Sequence, residues 1–221
     1  MSQLSFDFPV PTDYAAADFV PSPANLEALH WIEQWPAWGN NYGIIIYGPP
    51  GSGKTHLTHI WQEKTAAERI SIQALDETLL EEEEIFLYHH IILENLEKLQ
   101  DETALFHVLN LVKAQQGFVV ITAINPPSKL HFMLPDLRSR LLALPAVPIA
   151  SPNEALLKAV MLKQFSDRQL RVSSELLDFI LSRMDRSFAA AKHIVKLLDA
   201  KALETGQNIT IPFVRKLLDI D

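Results

Sequence analysis

The stretch Gly43-Ile44-Ile45-Ile46-Tyr47-Gly48-Pro49-Pro50-Gly51-Ser52-Gly53-Lys54-Thr55-His56 decides the fold. Its first five residues are an apolar run rich in β-branched side chains, the pattern of a strand buried on both faces. Gly48 to Thr55 fits G-x-x-x-x-G-K-[ST], with Gly51 as an additional small residue. Beyond it Leu57, Ile60 and Trp61 recur at helical spacing, so the loop lies where a strand turns into a helix. Glycines let the backbone bend until successive N–H groups converge on phosphate oxygens. The helix N-terminus adds its partial positive charge. Lys54 then reaches the β- and γ-phosphates, and the Thr55 hydroxyl ligates Mg²⁺. A site for a nucleoside di- or triphosphate follows, lined by Gly48, Pro50, Gly51, Ser52, Gly53, Lys54, Thr55 and His56.

The 221 residues are 48% hydrophobic and 21% charged, enough for one sizeable core or a main domain with a satellite. No apolar run approaches the roughly 18 residues of a membrane helix. The opening Met1-Ser2-Gln3-Leu4-Ser5-Phe6-Asp7-Phe8 carries no basic region or cleavage signal, so secretion is not expected. Zero cysteines exclude disulfides and thiolate metal sites and fit a reducing cytoplasm. A net charge of -8 argues against a surface built to neutralise DNA phosphates.

Residues 1–12 read as a flexible tail with apolar side chains at alternate positions. A helix follows through Asn25 and Ala28, with Trp31, Trp35 and Trp38 packing around its end and Pro36 breaking it. Arg69-Ile70-Ser71-Ile72-Gln73-Ala74 alternates like a strand, and Glu81-Glu82-Glu83-Glu84 reads as a solvated run. Ile91-Ile92-Leu93 and Phe118-Val119-Val120-Ile121-Thr122 are buried strands, separated by a helix through Leu105, Val108, Leu109 and Val112. Strands alternating with helices predict a parallel α/β sheet whose ligands bind at the carboxyl ends of its strands. From Ser151 the pattern is all helix. Ser151-Pro152-Asn153-Glu154 reads as a capping box with proline at the first helical position, and helices follow over 176–184, 188–203 and 214–220.

Glu94 stands at the strand end where phosphate-loop enzymes carry the Mg²⁺-ordering aspartate. Asn95 stands where many ATPases of this architecture carry the water-activating glutamate, and a carboxamide is no base. Nucleotide binding with slow unaided hydrolysis is the expectation. His56 and His59 share a helix face, but no third metal ligand stands near them in sequence.

Several stretches resemble the AAA+ superfamily and, within it, the bacterial initiator DnaA and its relatives. These are Asp18-Phe19-Val20 with Asn25, the phosphate loop, and Asp136-Leu137-Arg138-Ser139-Arg140-Leu141. The ending Asn208-Ile209-Thr210-Ile211-Pro212-Phe213-Val214-Arg215-Lys216-Leu217-Leu218 is similar to the Hda family, the regulatory inactivators of DnaA. So are Trp35-Pro36-Ala37-Trp38 and Gln3-Leu4-Ser5-Phe6-Asp7-Phe8. The resemblance implies an α/β, P-loop AAA+ base with a parallel sheet over residues 13–149, followed by a small all-helical lid over 150–221. It implies that Val20 lines an adenine pocket and that Arg140 is an arginine finger acting on a neighbour's nucleotide. Arg186 becomes the lid arginine that contacts bound phosphates, and Glu94 joins Thr55 at the Mg²⁺. Gln3, Leu4, Phe6 and Phe8 become a motif for the sliding clamp, the β subunit of DNA polymerase III.

The function so implied is cytoplasmic: a protein holding ADP or ATP with Mg²⁺ and, on the clamp, stimulating ATP hydrolysis by DnaA. A homo-oligomer is compatible with it, and direct DNA binding is expected to be slight, since no helix-turn-helix sequence follows the lid. A self-acting ATPase of the DnaC loader type and a passive clamp scaffold are the alternatives. One departure is Ile124 in the strand-end sensor slot, which leaves that role to Asn125 or to no residue.

Overall fold

The structure, a computed structural model, describes residues 19–75 and 89–217. The tail with Gln3, Leu4, Phe6 and Phe8, the glutamate run and the last four residues lie outside the described residues. Two compact units are present, residues 19–150 and residues 151–217.

The first unit is built on five parallel strands: β1 (Gly43–Tyr47), β2 (Glu68–Ser71), β3 (His90–Glu94), β4 (Phe118–Ala123) and β5 (Ala146–Pro148), in the order β2-β3-β4-β1-β5. Successive side chains on a strand point to opposite faces. Ile45, Ile91, Leu93, Val119 and Ile121 therefore pack on one face against α3 (Glu102–Ala114) and α4 (Pro135–Ala143). Ile44, Ile46, Ile92, Val120 and Val147 pack on the other against α1 (Leu26–Gln34) and α2 (Lys54–Thr65). Both faces are covered, which is why the strands read as continuous apolar runs.

Two boundaries differ from the sequence expectation. Arg69 to Ala74 is not one strand: β2 ends at Ser71, and Ile72–Ala74 closes a 3₁₀ turn that buries Ile72. The strand at Phe118–Ala123 is not the last, because β5 follows the helix that carries Arg140 and pairs with β1. Three residues bounded by Pro145 and Pro148 carry too little periodicity to announce a strand.

Around the end of α1, Trp38 stacks on Trp61 at 5.9 Å and donates its indole N–H to the Trp31 carbonyl at 2.7 Å. Trp35 meets His90 edge-on at 5.4 Å.

The second unit contains α5 (Glu154–Asp167), α6 (Ser174–Leu181), α7 (Phe188–Thr205) and α8 (Ile211–Leu217) around Met161, Phe165, Ile180 and Leu198. Side chains of Asn153, Ser173 and Ser187 accept from the N–H groups of Leu156, Leu176 and Ala190. Such caps contribute about 0.5–2 kcal/mol each. The cap of α5 is thus Asn153 and not Ser151, and Pro152 precedes the helix. Asn153 is extended, at φ -78° and ψ 169°, which aims its short amide oxygen at the first turn. Among the described residues no helix is long and apolar enough to cross a membrane.

Burial, and then the charge of His89, pull the His90 imidazole below its ordinary value of 6.5. A depressed folded-state value means stability that is present above 6.5 and lost as pH falls through the folded value. His90→Phe keeps the ring and removes the titration. Denaturant unfolding should show wild type losing more stability than the variant between neutral pH and about pH 5. Equal losses would discard this role for His90.

Candidate functional site

The loop from Gly48 to Gly53 links β1 to α2. Gly48 packs under the exit of β5, where a Cβ would lie 2.5 Å from the Ile149 carbonyl oxygen. Gly53 caps α2 in the left-handed region at φ +96°, where a Cβ would sit 3.4 Å from the Phe19 ring. The Lys54 side chain is buried, and its ammonium donates to the carbonyls of Gly48 at 2.7 Å and Pro49 at 2.9 Å. Burial pulls this lysine below its ordinary range, while the carboxylates of Glu97 and then Glu94 push it back. Beside it the Ser52 hydroxyl is buried with no hydrogen-bond partner among the described residues. An unpartnered buried hydroxyl, a buried ammonium and a helix N-terminus together fit the oxygens of a polyphosphate.

Glu94 closes β3. Its carboxylate meets Arg69 of β2 at 2.9 Å and the Thr58 hydroxyl at 3.1 Å. That hydroxyl also lies 2.9 Å from the Thr55 carbonyl, so Thr58 joins Thr55 and Glu94, the two expected Mg²⁺ ligands. Neither Arg69 nor Thr58 was singled out by sequence reasoning. Arg69 sat in an alternating strand, and only the parallel pairing of Ser71 with Glu94 brings β2 alongside. Asn95 adopts left-handed backbone angles, φ 65° and ψ 61°, and donates its N–H to the Thr122 hydroxyl at 3.1 Å. Asparagine is among the few non-glycine residues that tolerate this conformation. The following 3₁₀ turn, Leu96–Lys98, carries Glu97, whose carboxylate accepts from the Ile124 N–H at 3.1 Å. A cavity of about 270 Å³ opens alongside, lined by Arg69, Ser71, Gln73, Glu94, Asn95 and Lys98.

Asn25 fixes the segment ahead of α1. Its amide donates to the Val20 carbonyl at 3.0 Å and accepts from the Ser22 N–H at 2.7 Å. Phe19, beside Val20, meets the His56 ring edge-on at 5.3 Å, so this segment lies against the start of α2. Both residues lie in the Asp18-Phe19-Val20 stretch that the sequence reading singled out. Arg140 lies on α4 with its guanidinium 5.3 Å from the centre of the Phe106 ring. Its charge also acts on Tyr42, whose phenol burial pushes up and Arg140 pulls down. Tyr42 precedes β1 and the phosphate loop follows it, so five residues of strand, about 17 Å, separate them. Arg186 belongs to the second unit, is exposed, and pairs with Glu154 at 3.4 Å. Pro50, Ile124 and Asn125 are all exposed or partly so.

A family model described as "Hda, lid domain" matches residues 155–218. A Haemophilus influenzae protein described as an uncharacterized protein is 30% identical over 196 residues, spanning 80% of this chain and 81% of its own length. The crystal structure of domain III from the Thermotoga maritima replication initiation protein DnaA superposes with TM-score 0.83 at 21% identity, covering 96% of this chain and 98% of that one. AMPPCP-bound DnaA from Aquifex aeolicus gives TM-score 0.71 at 20% identity, covering 87% of this chain and 67% of that one. At such identities the likeness to the solved structures is one of fold.

Lys54→Ala should abolish tight ADP and ATP binding in calorimetric titration. A charge-assisted hydrogen bond contributes roughly 1.5–3 kcal/mol, and this ammonium can make more than one. Unchanged affinity would remove the loop as the nucleotide site.

Proposed function

The chain belongs to the Hda/DnaA-related AAA+ proteins, and from that premise we propose that it is a nucleotide-binding regulator of chromosome replication initiation. Held on the sliding clamp by Gln3, Leu4, Phe6 and Phe8, it stimulates ATP hydrolysis by DnaA in the cytoplasm and so inactivates the initiator. Its own loop holds ADP or ATP. Gly48, Pro50, Gly51, Ser52 and Gly53 surround the phosphates, Lys54 supplies the charge, and Val20 with His56 borders the base. Thr55 and Glu94 are the residues that would hold Mg²⁺, which supplies charge neutralisation at the phosphates. Arg186 adds a guanidinium from the lid.

The observation that carries this reading is the place of Arg140. Its place over the Phe106 ring, with its charge felt by Tyr42, sets it toward the amino end of β1, and the phosphate loop follows the other end. An arginine there is not set to serve its own loop but is available to a neighbour's nucleotide. Guanidinium suits the task because it is always charged and presents a planar fork of donors. Arginine fingers supplied by a partner raise phosphoryl transfer about 10³–10⁵-fold in GTPases. Asn95 supports the division of labour, since a carboxamide beside Glu94 supplies no proton acceptor to this chain.

The test is ATP hydrolysis by DnaA with clamp loaded on DNA. Arg140→Ala, and the stricter Arg140→Lys, should keep nucleotide affinity and clamp binding yet lose the stimulation. Stimulation by Arg140→Ala equal to wild type would leave a passive scaffold as the better reading. Removing residues 1–8 should abolish clamp capture without lowering the unfolding midpoint. Three apolar side chains there can bury about 1.5–3 kcal/mol each before the cost of ordering the segment. Capture that survives the deletion would exclude the tail as the clamp motif.

A further inference from the structure

Glu94, one of the two residues placed toward Mg²⁺, already carries a cation. Its Oε2 lies 2.9 Å from Nη1 of Arg69, and its Oε1 lies 3.1 Å from the Thr58 hydroxyl, so both carboxylate oxygens are engaged. The guanidinium is itself held by α2. Nη1 also donates to the Thr58 hydroxyl at 3.1 Å, and Nη2 donates to the Gln62 side-chain oxygen at 3.3 Å. Thr58 and Gln62 stand one turn apart on α2, and Arg69 comes from β2 at the edge of the sheet. The Thr58 hydroxyl reaches back to the Thr55 carbonyl at 2.9 Å. The pair of Arg69 and Glu94 therefore lies within one turn of α2 from Thr55.

Thr55 and Glu94 offer a hydroxyl and a carboxylate, the hard oxygen donors that Mg²⁺ prefers. A guanidinium bonded to that carboxylate opposes the metal, because it repels any cation brought to the same oxygens. As an ion pair Arg69 and Glu94 are partly exposed and add little to folding stability. Against a divalent ion the repulsion from the same guanidinium is doubled.

We propose that Arg69 competes with Mg²⁺ for Glu94, so that this chain holds its nucleotide with little dependence on the metal. The proposal rests on the nucleotide-binding reading of the loop. Arg69 is a positioning residue in this scheme: it acts through Glu94, while Lys54 and the loop N–H groups face the phosphates. A site that binds nucleotide without metal lacks the charge neutralisation on which phosphoryl transfer depends. Arg69 and Asn95 then act in the same direction, since one weakens the metal and the other supplies no base. The site retains its nucleotide and does not consume it.

The test is calorimetric titration of the full chain with ADP, once with Mg²⁺ and once with EDTA. Wild type should bind ADP with similar affinity in the two media. Arg69→Gln removes the charge and keeps an amide donor, and it should bind ADP at least about tenfold more tightly with Mg²⁺ than with EDTA. Arg69→Lys keeps the charge and should behave like wild type. Mn²⁺ in place of Mg²⁺ gives a direct readout: with ADP present, Arg69→Gln should remove more of the free-ion paramagnetic resonance signal than wild type does. A merely structural role for Arg69 would lower affinity equally in both media and leave their ratio unchanged, which overturns the proposal. A wild-type ratio above about tenfold overturns it whatever the variants do. Failure of wild type to bind ADP in either medium removes the nucleotide reading itself, and this proposal with it.

Discussion

A buried ammonium has to be met by acceptors, and the carboxyl edge of this sheet is arranged around that requirement at Lys54. Burying an unpaired charge costs several kcal/mol even after relaxation. Here the cost is met by two backbone carbonyls of the loop itself and by the field of Glu97 and Glu94. Those carbonyls turn inward because Gly51 and Gly53 adopt positive φ, and the loop closes because Gly48 leaves room for Ile149. Residues from β1, β3, β5 and the 3₁₀ turn are therefore held relative to one charge. A parallel sheet makes this economical, since every strand delivers its last residue to the same edge.

The acidic side of that edge is divided. Glutamate is one methylene longer than aspartate, and the reach of Glu94 is taken up by Arg69 and Thr58. The pair is partly exposed, so its Coulomb energy is modest and screened. Its consequence is geometric: Glu94 is held toward β2 and α2, on the side of Thr55. Glu97 is held toward β4 by a backbone N–H. Two carboxylates three residues apart thus meet different partners, because a left-handed asparagine between them turns the chain.

Much of the fold was legible. Runs such as Ile44-Ile45-Ile46 and Phe118-Val119-Val120-Ile121 could be only strands of a two-faced sheet, and a helix was dictated by Leu105, Val108, Leu109 and Val112. Local chemistry also marked the phosphate loop, whose glycines and lysine have no other economical use in that order. Short elements were harder. The three residues of β5 and the 3₁₀ turn Ile72–Ala74 carry no period, and their form follows from pairing with β1 and from burying Ile72. The cap at Asn153 was displaced from Ser151 because a capping pattern names candidate residues, whereas the backbone angles select one.

By itself, then, the sequence determined the strand–loop–helix core, the place of Lys54 at the start of its helix, the absence of a proton-accepting side chain at position 95, and the change to all-helical texture after residue 150. These are properties of neighbours along the chain, where periodicity and backbone sterics act over a few residues. Tertiary structure alone decided that Arg69 would pair with Glu94, that Phe19 would meet His56, that Arg140 would rest on Phe106, and that Glu97 would bond to the Ile124 N–H at the end of β4. Each of those joins elements far apart in sequence through sheet order β2-β3-β4-β1-β5 and a reversal at Asn95. No local pattern carries that information, because it resides in which strand lies beside which.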